Sequence, residues 1–90
     1  MAFPPKDPDD VLDYDWDFAP WLPAGDTISA HTIIVASGDV AVNSASHTAT
    51  TVTAWLSGGT VDTDAEVTAR ATTAQGRTVD RTSTVPIRQR

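Results

Sequence analysis

Ninety residues without a cysteine allow one domain at most, and that domain has neither disulfide staples nor thiol chemistry. The formal charge of −6, with a pI near 4.4, argues against nucleic acid as a partner, because neutralising phosphates takes a basic surface. No stretch approaches the roughly 18 apolar residues of a membrane span, and the N-terminus lacks a charged-then-apolar signal pattern, so a chain made in a cytoplasm and not exported by a readable signal, with no membrane partner, is expected.

A chain of this size buries only about 60–65% of the surface its unfolded form exposes. Its core is thin, which calls for regular β packing or support from neighbouring subunits. Charge is unevenly placed. Residues 1–20 hold six aspartates against one lysine, and residues 77–90 hold four arginines against one aspartate. Opposite ends of opposite sign suit head-to-tail association; the plainer reading is solvated surface charge.

Residues 1–10 contain Pro4, Pro5 and Pro8 and form an extended arm ahead of a domain spanning 11–90. Residues 12–18 alternate apolar and acidic without a fault, which puts Leu12, Tyr14, Trp16 and Phe18 on one face of a strand and Asp13, Asp15 and Asp17 on the other. A turn at 20–25 follows. Strands are expected at 27–35 and 40–42, separated by a break at 37–39. Residues 43–46 read as a polar turn. Residues 48–57 read as a strand with Val52, Ala54 and Leu56 on one side, and Gly58-Gly59 as a tight hairpin. In 65–72 a second clean alternation turns Ala65, Val67, Ala69 and Ala71 inward. Ala74-Gln75-Gly76 then makes a hairpin loop into a last strand over 77–87. Pro86 cannot donate to a ladder, so that strand lies at an edge there or turns its donor-free side outward. Six or seven short strands with regular turn signals describe an antiparallel, immunoglobulin-like β-sandwich; a small barrel is the alternative.

Catalytic equipment is missing. His31 and His47 belong to no triad-like or metal-ligand spacing and read as edge or surface histidines. Ser57-Gly58-Gly59-Thr60 lacks both the lysine and the following helix of a phosphate loop. Asp13, Asp15 and Asp17 lack the turn, glycine and bidentate glutamate of a calcium loop, and read as a face that keeps an aromatic strand from pairing wrongly. No metal or cofactor is expected. Trp16 and Trp55 are assigned to the core. Trp21, flanked by prolines in a turn, is the first apolar candidate for a partner contact.

Four blocks, read in order, carry a resemblance. They are Lys6-Asp7-Pro8-Asp9-Asp10-Val11-Leu12-Asp13-Tyr14; Trp21-Leu22 with Gly25-Asp26-Thr27-Ile28; Trp55-Leu56-Ser57-Gly58-Gly59-Thr60; and Thr72-Thr73-Ala74-Gln75-Gly76-Arg77-Thr78-Val79-Asp80-Arg81. Together they resemble the fiber-tail adaptors of tailed bacteriophages, over nearly the whole chain. The resemblance implies an immunoglobulin-like sandwich and a structural place in the virion tail. The partners it implies are other tail or fiber proteins and copies of the chain itself. It carries over no catalytic or cofactor residues. Ser83 and Pro86 depart from it, an apolar residue and a non-proline being expected there, which bears on the pairing of the last strand.

The candidate contact residues are Phe3, Lys6, Asp7, Asp9 and Asp10 on the arm, with Phe3 as its anchor. Trp21 and the basic set Arg77, Arg81, Arg88 and Arg90 complete them. A capsid decoration or head–tail joining protein would use the same small fold. A receptor- or glycan-binding module would need an exposed aromatic platform, for which Trp21 and Trp55 are the candidates.

Overall fold

A computed structural model of the chain describes residues 6, 7 and 9–88. Six strands follow in order: β1 (Leu12–Asp17), β2 (Ile28–Ser37), β3 (Val40–His47), β4 (Thr51–Gly58), β5 (Thr63–Thr73) and β6 (Thr78–Ile87). A single 3-10 turn, Ala19–Trp21, interrupts them after β1, and there is no α-helix among the described residues. All ladders between strands are antiparallel, in two sheets ordered β1-β4-β3 and β2-β5-β6. These orders are the B-E-D and C-F-G halves of an immunoglobulin sandwich. Among the described residues there are six strands where about seven were expected, and at the place of a leading A strand one parallel bridge joins Lys6 to Ile87.

The alternation in β1 does what its period dictates: Tyr14, Trp16 and, just beyond the strand, Phe18 are buried, while the three aspartates face out. Val52, Ala54 and Leu56 of β4 join them. The opposing layer comes from Ala65, Val67, Ala69 and Ala71 of β5 with Val85 and Ile87 of β6. Large aromatic side chains on one sheet thus face a layer of alanine, valine and isoleucine on the other.

Several expectations need correction. β3 does not end at residue 42. A bulge between Val42 and Ser44 keeps the polar stretch paired with β4 as far as His47↔Val52. Thr48 lies in the β3–β4 turn, so β4 starts at Thr51. Gly58-Gly59 is no hairpin, because β4 and β5 belong to different sheets. The pair carries the chain across the sandwich with φ of 77° and 106°, and a Cβ on Gly59 would stand 2.8 Å from Ile87 Cδ1. The loop at 74–76 is a hairpin as expected, closed by Thr73 N donating to Arg77 O at 2.8 Å, with Gly76 at φ 89°.

The two departures in β6 resolve differently. Pro86 keeps full register with β5, opposite Asp64. Its carbonyl accepts from Lys6 N at 2.8 Å, on the side away from β5, and its donor-free nitrogen shares that side, so the β5–β6 ladder loses nothing. Ser83, opposite Val67, is fully buried, and its hydroxyl finds no hydrogen-bond partner among the described residues.

Candidate partner-binding surface

The residues named from sequence divide into internal locks and exposed contacts. Lys6 is a lock. Its side chain is 0% exposed, and its Nζ donates to Gly58 O at 2.6 Å and to Asp7 O at 2.8 Å. Its backbone donates to Pro86 O and accepts from Arg88 N, both at 2.8 Å. Burial pushes the ammonium below its ordinary pKa of 10.5, and the carboxylates of Asp10, Asp7 and Asp9 pull it partway back. Lys6 therefore offers nothing to a partner. The arm, expected to stand apart from the sandwich, is fastened to it from this residue on. Asp7 and Asp10 are half-buried in a local turn, in which Asp7 N donates to Asp10 Oδ2 and Asp9 N to Asp7 Oδ1. The Asp9 side chain is exposed.

A second lock joins two distant turns. The Asp26 side chain is 0% exposed and accepts from Thr27 N, Gln75 N and Arg77 Nη1 at 3.0, 3.2 and 3.2 Å. Burial alone would raise its pKa. The Thr73 hydroxyl, the Gln75 and Thr27 amides and the Arg77 guanidinium outweigh burial and hold the carboxyl below its ordinary 3.8. Arg77 is thus partly committed within the chain, although its side chain remains half exposed. Asp26 was not picked out from sequence as a functional or structural carboxylate. Its neighbours marked only the close of a turn at Gly25 and the start of a strand at Thr27.

Arg88 is committed too. Its guanidinium donates to Asp64 Oδ1 at 3.1 Å and to the carbonyls of Thr63 and Ile87. Arg70 forks onto Asp80 with bonds of 2.9 and 3.0 Å. Phe3 and Arg90 lie outside the described residues.

Two aromatic positions remain on the surface. Trp21 is 45% exposed at the end of the 3-10 turn between Pro20 and Pro23. The Arg81 guanidinium sits over its ring, 4.0 Å from the centroid. Arg81 occupies an inward-facing position of the edge strand β6, so its stem runs along the margin of the core and its head emerges onto the indole. Among the described arginines it alone has no carboxylate partner. Trp55, assigned to the core from its size, is 42% exposed on the outer face of β4. Its position was legible: with Val52, Ala54 and Leu56 inward, residue 55 must point outward. Asp13 of β1 and Ser44 of β3 flank it in register, beside the Thr53–Asp15 hydrogen bond of 2.7 Å.

His31 and His47 meet edge-on across the margin shared by β2 and β3, with their Nδ1 atoms 2.5 Å apart, so one ring donates and the other accepts. Among the described residues no group of three or more potential metal ligands converges and no pocket opens. What the domain presents is area rather than a cavity.

A family model described as podophage GP4 fiber-tail adaptor protein gp77 matches residues 6–86. The chain belongs to this family. The first residue matched is Lys6, where the chain becomes fastened to the sandwich, and the last is Pro86, whose carbonyl receives the Lys6 amide. No curated protein matches the chain. Membership in the fiber-tail adaptor family gives it a structural role in the phage tail.

Proposed function

We propose that this adaptor joins the tail to fibers, or to another tail component, through protein–protein contacts made in the assembled virion, after synthesis in the cytoplasm of the bacterial host. One observation carries this reading: the exposed Trp21 and the half-buried Arg81 form a pre-arranged aromatic–cation pair at the surface. Tryptophan and arginine are the residue types that dominate binding energy at protein interfaces. The two prolines and strand β6 hold the pair in place, so little conformational freedom is lost on docking. The arm ahead of Lys6, with Phe3, and the C-terminal Arg90 supply further contacts in this reading. The family's description as a fiber-tail adaptor favours the tail over a capsid position.

The test is a phage carrying Trp21→Ala or Arg81→Ala in this chain. The isolated variant proteins should keep their β-rich circular dichroism, while the particles lose this subunit or their fibers. Particles with normal subunit and fiber content from both variants would refute the reading.

A further inference from the structure

We propose that the Trp21–Arg81 corner docks on the outer face of sheet β1-β4-β3 of a second copy, at Trp55 and Asp13. This rests on the adaptor reading and names a partner for the corner it identified.

The case is one of complementary, unspent chemistry on a single chain. Five cationic side chains are described. Lys6 is buried, and Arg70, Arg77 and Arg88 are paired with Asp80, Asp26 and Asp64. Arg81 alone keeps a guanidinium free of any carboxylate, fixed over a half-exposed indole. The opposite inventory holds on the other face. Asp15 accepts from Thr53 and Asp17 from Ala19 N, whereas Asp13 has no hydrogen bond or ion pair among the described residues. Asp13 stands directly across from the second exposed indole, Trp55, with Ser44 of β3 on the other side of that ring.

Each patch therefore offers what the other lacks: an aromatic ring with an unpaired cation, and an aromatic ring with an unpaired anion. Bringing them together seats a guanidinium–carboxylate pair between two indoles and covers both large exposed aromatic side chains. The uncharged segment from Ala19 to Gly25 around Trp21 lets the corner approach an acidic face without placing carboxylate against carboxylate. One chain cannot close this contact on itself, because the corner leaves the sandwich at the β6 margin while Trp55 lies on the outer face of the other sheet's central strand.

The experiment is charge exchange, read by sedimentation velocity and native mass spectrometry of the full chain. Wild type should self-associate. Asp13→Arg and Arg81→Glu should each weaken association at least about tenfold by setting like charges together. The double variant D13R/R81E should recover it. Trp55→Ser, on the side away from the core, should weaken it as well without changing the melting temperature, which guards against R81E failing through misfolding. Wild type that stays monomeric at the highest soluble concentration, single variants that associate normally, or a double variant without recovery overturns the proposal. Particle assays separate the two readings. If R81E and W21A are lost from particles while D13R and W55S enter normally, the corner meets a different tail protein; the adaptor reading then stands and self-docking falls. If all four enter normally, with fibers attached, both fall.

Discussion

Lys6→Ala tests whether the first described residue is a fastener or a loose end. The substitution removes three methylene groups from a site with no solvent exposure, about 0.8 kcal/mol each. It also strips the Gly58 carbonyl of its 2.6 Å donor, a loss of about 1–3 kcal/mol for a buried acceptor. Against these stands relief from burying an ammonium group, which burial disfavours. The net expectation is about 2–4 kcal/mol of destabilisation. In a domain of this size each kcal/mol moves the melting temperature by about 4–8 °C, so a fall of roughly 10–25 °C is expected in a calorimetric or circular-dichroism melt. Lys6→Met keeps the apolar stem and drops the charge, and should fall within about 1–2 kcal/mol of wild type. The pH dependence has a definite sign. The folded-state pKa lies below 10.5, so between that lowered value and 10.5 the unfolded chain binds more protons than the folded one. The Lys6 contribution therefore becomes less unfavourable as pH rises through this window, and K6M lacks that slope. A K6A protein melting within about 3 °C of wild type would refute the buried lock.

Ser83→Ala removes a buried hydroxyl that has no partner and should raise stability by about 1 kcal/mol; a lower melting temperature would mean the hydroxyl is satisfied. Asp26 is held ionised by its partners, so its contribution is fully present above the ordinary 3.8 and is lost as pH falls through the lower folded-state pKa. Asp26→Asn should be less stable than wild type at neutral pH, with the gap narrowing in acid; parallel melting curves across that range would refute the assignment. Deleting residues 1–5, which leaves Lys6 in place, should cost little stability yet reduce entry into particles if Phe3 anchors the arm, whereas deleting residues 1–8 should also destabilise the isolated domain. Normal occupancy of the shorter deletion in virions would remove the arm from the list of contacts.

The parts of this fold legible in the sequence are those in which a local pattern decides the outcome. Period-2 alternation settled which sides of β1 and β5 face inward, down to Trp16 and Val67. What the alternation could not reveal is which strands share a sheet. Gly38 and Gly58-Gly59 signal positive φ, but the same backbone serves a hairpin or a crossing between layers, and here it serves the crossing. The locks were hidden for a related reason. Lys6 finds Gly58 across 52 positions and Asp26 finds Arg77 across 51, separations at which composition and spacing are silent. Trp55 was misplaced by a different route: a size-based preference for the core overrode the parity of its own strand. Of the candidate contacts, the pairing of Trp21 with Arg81 was invisible because it depends on an inward strand position at a sheet margin, where a long side chain can reach out.

The distribution of charge looks different once the chain is folded. In sequence, acidic residues crowd one end and basic residues the other, which suggests poles that would join end to end. The bridge between Lys6 and Ile87, with Arg88 N donating to Lys6 O, brings both ends to one place, and Arg88 is already held by Asp64. Lys6 and Arg88, from the acidic and the basic end of the sequence, therefore sit together rather than at opposite poles. Part of the acidity available to a partner lies along the outer face of β1, and the one described arginine without a carboxylate lies at the β6 margin, over Trp21. Complementarity between copies, where it operates, must run from face to corner.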